Sequence, residues 1–416
     1  MNREKIINLL FEYLNKNLDY AVLSKTEDTY SENHDIDLIV SSIKDFMNII
    51  RPYLHKNNIK IVQLIKHNNF GHHIFFINIY KGKIFSFNFD IYENILFKNK
   101  ILFTSKFLLN SRIKNKKFFS LSNESQFIYY LVKILVKENF SNLNLNYLKE
   151  FLPKNNKNIA PLFPKSFKLI YKSIINIDSN FFYRNRFILS KELKSNLPFF
   201  KKYYYYKIGI FFERIFNPNG LIIALIGPDG VGKSTLIKKF SEQNLPFRNF
   251  YYYHLSPRVN YNPFVLSSFR MIRKEPYNIF LSLLKLVYFV FEFFLHYPKI
   301  LILKIKSSLI IFDRYYYDLL VDSSRLRIKQ NIVINFFLKI IPKPDIVFTV
   351  LANPILINHR KNENSISITK NLVDKYSKNS ELFNFHIILN DKNIDLSIKD
   401  FNLVIYDKLI KKYENL

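Results

Sequence analysis

The chain has 416 residues, which at roughly 100–200 residues per domain makes two or three domains. Apolar residues make up 48% and charged residues 23%, so an intrinsically disordered chain is excluded. The balance of 62 basic against 33 acidic side chains leaves a formal charge of +29, and the absence of cysteine excludes disulfides, thiolate zinc sites and cysteine nucleophiles. Lysine far outnumbers arginine, and Asn, Ile, Phe and Tyr are abundant where Gly is scarce. Much of the charge therefore reads as a lysine-coated surface, and no nucleic-acid partner is expected. Peripheral association with an anionic membrane face is compatible with the charge. The amino terminus, MNREKIINLLFEYLNKN, is broken by charges every few residues and does not read as a signal peptide. With no cysteine, this favours a cytoplasmic location, with the inner membrane face as the alternative.

In chain order, residues 1–152 alternate short aliphatic runs with helical patterns: KIINLLFEYL, then YAVLS, DIDLIV, KIVQLIK, HHIFFINIY and KIFSFNFDIY. Strands are predicted at the centre and helices around them, for example over 123–137, giving an α+β domain. Within it, Asp35 and Asp37 sit two apart on a predicted strand, so both carboxylates share one face. Asp90, on the strand FSFNFDIY, is placed to approach them from a neighbouring strand. Three converging carboxylates are a donor set for two Mg²⁺ ions, although surface aspartates on an edge strand would look the same. Lys133 and Lys137, four apart on a helix, face either that site or solvent. The pair His72–His73 has no metal-ligand spacing with another histidine or carboxylate.

Residues 153–216 open on PKNNKNIAPLFP and read as a linker that continues into basic helices, including the run KKYYYYK. A connecting helix that packs on the following domain is predicted there, an interfacial membrane helix being the alternative. From 217 to 416, strands and helices alternate. Candidate strands lie at 221–226, 250–255, 308–312, 346–351 and 385–389, which predicts a parallel sheet with helices on both faces. The longest apolar stretch, 279–295, carries Lys285 and Glu292 and is predicted to be a buried core helix rather than a membrane span.

The strongest local signal is Gly227-Pro228-Asp229-Gly230-Val231-Gly232-Lys233-Ser234-Thr235. It fits G-x-x-x-x-G-K-[ST], with the strand LIIALI before it and the helical KSTLIKKF after it. Such a loop turns backbone N–H groups onto a polyphosphate, and the following helix adds its amino-terminal N–H groups and dipole. Lys233 would bridge the β- and γ-phosphates of ATP, and Ser234 would offer an oxygen to Mg²⁺. The chain has only seven glycines, and three of them fall within these positions. After the predicted strand SLIIF comes Asp313-Arg314-Tyr315, which puts a carboxylate for Mg²⁺ and an arginine fork at a strand end beside the loop.

The loop GPDGVGKST, the motif LIIFDRYYYD and the segment PDIVFTVLANPILINHRKNE together resemble the thymidylate kinase-like P-loop kinases. The likeness is to the branch fused behind a nucleotidyltransferase-like domain and often encoded among bacterial surface-polysaccharide genes. It covers most of residues 220–416 and the amino-terminal part loosely. The resemblance implies that Asp229 faces the acceptor, that the region of His254, Pro257 and Arg258 approaches the acceptor's phosphate or sugar, and that Arg360, with Lys361 and Glu363, begins a lid. A lid arginine would neutralise charge on the transferred phosphoryl. Asp318, Asp322 and Arg325 depart from the family pattern and suggest either a different acceptor or a salt-bridged helix face. At the amino terminus, Val22-Leu23-Ser24-Lys25 stands where the nucleotidyltransferase fold has a Gly-Ser element gripping the triphosphate.

Three functions follow. The first is an ATP-dependent phosphotransferase acting on a nucleoside monophosphate or a sugar or glycan hydroxyl. The second is an ATP-binding regulatory or assembly module of surface-polysaccharide synthesis. The third is nucleotidyl transfer at Asp35, Asp37 and Asp90.

Overall fold

The computed structural model describes residues 3–23, 35–68, 70–80, 83–97, 99–115, 117–153, 159–255, 277–323, 327–329, 332–361, 364–391 and 393–413. The chain divides into two compact units, Met1–Phe212 and Glu213–Leu416.

The first unit runs α1 (Arg3–Asn17), β1 (Tyr20–Val22), β2 (Ile36–Val40), α2 (Ile43–Lys56), β3 (Ile59–Asn68), β4 (Gly71–Tyr80), β5 (Lys83–Tyr92), β6 (Asn94–Phe97), β7 (Lys100–Thr104), α3 (Ser105–Asn110), β8 (Arg112–Lys114), β9 (Phe119–Leu121), α4 (Asn123–Lys137), α5 (Asn142–Glu150), α6 (Phe167–Ile175) and α7 (Ser179–Ser195). Helix α8 (Tyr203–Phe216) follows. Seven strands form one mixed sheet in the order β3-β4-β5-β2-β1-β9-β8. Period-two alternation sorts its side chains between two cores. Ile36, Leu38, Val40, Phe87, Phe89 and Ile91 pack with α1 and α2, while Ala21 and Ile39 face the cluster built by α4 to α7. The even–odd switch therefore puts Asp37 and Asp90 on the α4 side of the sheet.

The segment predicted as a linker is different in the structure. Ile170, Ile174, Phe182, Leu189 and Leu193 of α6 and α7 are buried in the same cluster as Phe127, Leu131 and Leu135 of α4. These two helices complete the first unit's core because their apolar residues recur at helical spacing. Helix α8, by contrast, has Ile210 as its one buried residue.

The second unit contains β10 (Leu221–Ile226), α9 (Lys233–Ser241), β11 (Asn249–His254), α10 (Ile279–Ile305), β12 (Ser308–Asp313), α11 (Asp318–Asp322), α12 (Ile332–Leu338), β13 (Ile346–Leu351), α13 (Pro354–Arg360), α14 (Ile366–Phe383), β14 (His386–Leu389) and α15 (Ile394–Tyr413). Its five strands lie in the order β11-β12-β10-β13-β14, and every pairing is parallel. All six residues of β10, β12 and β13 are buried, as expected of strands covered on both faces. Ile222, Ala224 and Phe312 pack with Leu286, Phe289 and Phe293 of α10. On the other face, the ring of Phe401 of α15 meets Phe240 of α9 edge to face and Phe348 of β13 at a tilt. Asp345 ties the sheet at its lower end, accepting from the Ile222 amide at 2.7 Å and from Lys304 Nζ at 2.6 Å.

Helix α10 is not the buried helix that its composition predicts. It is longer, at 27 residues, and buries Ser282, Leu286, Phe289, Val290, Glu292, Phe293, Ile300 and Leu303. Leu284, Val287, Tyr288, Phe291, Phe294 and Leu295 point outward and are exposed. Apolarity all around a helix cannot report which stripe finds a partner, and here one stripe meets the sheet while the other does not. By length and composition alone the helix is long enough to cross a membrane.

Candidate functional site

Strand β10 is central: the chain passes from it to β11 and back to β12 on one side, then crosses to β13 and β14 on the other. A crevice beyond the carboxyl ends of the strands at such a reversal is where ligands bind in open α/β sheets. The segment from Gly227 to Thr235 occupies that place, joining β10 to α9.

Its backbone is one that side chains resist. Gly227, Gly230 and Gly232 have φ of +142°, +79° and +97°. At Gly227 an added Cβ would lie 2.3 Å from the Val350 carbonyl oxygen, and at Gly232 it would lie 2.4 Å from Asn390 Nδ2. Helices α2 and α4 are capped by the hydroxyls of Ser42 and Ser122. Helix α9 begins at Gly232 with no side-chain cap, which leaves its first N–H groups facing the crevice for an anion. We expect Gly227→Ala to cost at least about 1–3 kcal/mol in backbone strain, because the clash is with backbone that cannot swing aside. Calorimetry of the full chain checks this, at about 2–4 °C of melting temperature per kcal/mol for a unit of this size.

Lys233 is buried, and its Nζ donates to the carbonyls of Gly227 at 2.9 Å and Pro228 at 2.8 Å. The ammonium thus lies folded into the loop. Asp313, at the carboxyl end of β12, is 4% exposed. Its Oδ2 accepts from Ser234 Oγ at 3.1 Å and from the Tyr252 hydroxyl at 3.0 Å. Its Oδ1 is buried with no hydrogen-bond partner among the described residues. Burial alone would raise this carboxyl, but Lys233, Arg314 and His254, with the Tyr252 hydroxyl, hold it below the ordinary carboxylate range. A buried, ionised carboxylate with one oxygen unsatisfied, beside a hydroxyl, is a donor set that fits Mg²⁺. His254 pairs in register with Asp313. Burial pushes its imidazole down, against the pull of the Asp313 charge.

Arg314 does not present the open fork that its sequence position suggests. It is 6% exposed and sits at φ +82°. Its NH1 donates to Asp318 Oδ1 at 3.1 Å and to the Gly227 carbonyl at 3.3 Å, and its NH2 donates to Asp229. The guanidinium is therefore engaged in holding the loop, and Asp229 is turned toward it instead of toward an acceptor. Asp318 is 2% exposed and also takes the Tyr315 amide at 3.1 Å and the Tyr376 hydroxyl at 2.6 Å. The sequence suggested that Asp318 meets the acceptor or lies on a salt-bridged helix face. In the structure it is a buried hub joining β12, α11 and α14. Asp322 is buried as well.

Arg360 ends α13 and reaches the loop from the side, donating from NH1 to the Val231 carbonyl at 3.4 Å and from NH2 to the Asn390 carbonyl at 3.1 Å. Asn390 was not singled out from the sequence. It is 6% exposed, and its Nδ2 donates to the Val231 carbonyl at 2.8 Å. Its one sequence signal is its position, immediately after the last strand of the sheet, where carboxyl-end residues meet the crevice. Tyr252 was missed too, because a tyrosine in a run of three gives no hint of which one faces Asp313. Pro257, Arg258, Arg325 and Glu363 lie outside the described residues, as do Ser24 and Lys25.

With this geometry in view, similar solved structures are nucleotide kinases. The thymidylate kinase of Ehrlichia chaffeensis is 16% identical over 45% of this chain and 100% of its own, with a TM-score of 0.31. The thymidylate kinase of Candida albicans is 16% identical over 46% of this chain and 93% of its own, with a TM-score of 0.34. The deoxyadenosine kinase of M. mycoides is 17% identical over 45% of this chain and 100% of its own, with a TM-score of 0.31. No protein-family model matches the chain, and no curated protein matches it significantly.

The first unit carries a second polar cluster. Asp37 of β2 and Asp90 of β5 are register partners on adjacent parallel strands, and Asp90 is in turn opposite His73 of β4. Asp37 Oδ2 accepts from Lys133 Nζ of α4 at 2.8 Å. Burial nevertheless raises the Asp37 carboxyl, with Lys133 opposing it. Asp90 Oδ1 lies 2.7 Å from His73 Nδ1 and 3.8 Å from His67 Nε2. Burial would raise Asp90, and the hydrogen bonds and charges of the two histidines reverse this and hold it well below its ordinary value. Asp35 bonds to Asn88 Nδ2. Asp37 and Asp90 lie side by side, and Asp35, just before β2 and exposed, is near enough to feel the charge of both. The sequence assigned His73 no ligand-spaced partner, and in the structure it meets His67 and Asp90, because strand pairing brings together residues that linear spacing does not.

Proposed function

We propose that the protein is an ATP-dependent phosphotransferase whose second unit binds Mg·ATP and transfers the γ-phosphoryl to a nucleoside monophosphate or a sugar or glycan hydroxyl. The observation that carries this reading is the pairing of the left-handed glycine loop and uncapped α9 with Asp313, buried, ionised and half-satisfied, beside Ser234. The loop amides and the α9 terminus would receive the phosphates. Lys233 would exchange its two carbonyl partners for phosphate oxygens. Ser234 and Asp313 would hold Mg²⁺, which would supply neutralisation of the phosphate charge. Arg314 is a positioning residue, since it fixes Asp229 and the Gly227 carbonyl. Arg360 and Asn390 brace the loop at Val231. Such a site works by orientation and charge neutralisation, with little covalent chemistry asked of the protein.

The test is an acceptor screen with γ-labelled ATP and the full chain, using nucleoside monophosphates, free sugars and lipid-linked glycans side by side. Label transfer to one acceptor class supports the reading and names that class. ATP binding without transfer to any of them favours the regulatory or assembly alternative. Pyrophosphate release lost on Asp37→Ala would move the main chemistry to the first unit.

A further inference from the structure

We propose that the first unit binds one divalent transition-metal ion of the zinc class through His67 Nε2, His73 Nδ1 and the Asp90 carboxylate. The three residues come from three adjacent strands, β3, β4 and β5, and their ligand atoms all lie within 4.8 Å of one another. Register explains the convergence. His73 is directly opposite Asp90, and Ile65 is opposite His73. Alternation then carries His67, two residues beyond Ile65, to the same face. The β3–β4 register shifts between Lys66 and Asn68, which places the irregularity at His67, and such a bulge re-aims a side chain. The two imidazoles meet at an interplanar angle of 70°, edge toward face rather than stacked.

The donor chemistry selects the ion. Two imidazoles with one carboxylate suit zinc and its neighbours and leave a position for water or a substrate oxygen. Mg²⁺ prefers an all-oxygen shell. The carboxylate that would make the dicarboxylate pair for Mg²⁺, Asp37, already holds the Lys133 ammonium at 2.8 Å. The site is independent of the phosphotransferase reading, which rests on the other unit.

The test uses the full chain, stripped with chelator and dialysed against Zn²⁺, Co²⁺ or Mg²⁺. The expected result is one Zn²⁺ per chain, with Mg²⁺ failing to displace it. The Co²⁺ form should show visible ligand-field bands. His67→Ala, His73→Ala and Asp90→Asn should each weaken Zn²⁺ binding by more than the roughly 10–100-fold that loss of an outer partner costs. His72→Ala, on the opposite face of β4, should leave it unchanged. Circular dichroism confirms that each variant is folded, and the isosteric Asp90→Asn guards against an unfolded alanine variant. The proposal is overturned if no stoichiometric Zn²⁺ is retained, if retention survives His73→Ala in folded protein, or if Mg²⁺ competes on equal terms. In the first two cases the trio is a strap of polar contacts across the sheet, and in the third it is an oxygen-dominated cation site rather than one of the zinc class.

Discussion

Replacing Lys233 with Ala should lower phosphotransfer by about 10²–10³-fold or more, the loss expected when one preorganised charge is taken from a developing anion. The Nζ is already desolvated and held by two loop carbonyls at 2.9 and 2.8 Å, so little reorganisation separates its resting place from the phosphates. Removing it also leaves those carbonyls without their donor, so Lys233→Met, which keeps the buried stem, is the companion variant. Initial rates with labelled ATP, alongside a melting curve for each variant, separate lost chemistry from lost folding. Full turnover in either folded variant would refute the phosphate role of the loop.

Arg314→Leu should destabilise the second unit by about 3–5 kcal/mol, the cost of breaking a buried ion pair by removing one partner. Both Asp229 and Asp318 lose the Arg314 charge, and Asp318 is almost wholly buried. The residue also sits at a left-handed φ of +82°, so Arg314→Gly should be less damaging than Arg314→Leu by roughly 1 kcal/mol, by relieving backbone strain. Denaturant unfolding of the three proteins gives the comparison. Equal stability of wild type and Arg314→Leu would mean that the guanidinium holds nothing, contrary to its three contacts.

The two regions differ in how much of each was legible. Strands 221–226 and 346–351 were expected at the limits that β10 and β13 have, because a short aliphatic run bounded by turn residues has few other uses in a soluble sheet. The turn-forming glycines of the loop were legible for a similar reason. Its conformation demands glycines at fixed offsets, and local demands leave local traces. That α6 and α7 pack on the first unit was not legible, because apolar periodicity says that a helix buries a face but not against what. Helix α10 was misread in the opposite sense, as apolar content was equated with burial.

What the amino-acid order determined by itself was everything that depends on neighbours along the chain: the glycine loop and the parallel alternation of the second unit. Only tertiary structure decided that Arg314 closes inward on Asp229 and Asp318, that Asn390 braces the loop across 159 positions, and that His67 and His73 turn toward Asp90. Those contacts depend on strand order and register, which arise from the packing of whole faces and leave no spacing to read in a single chain.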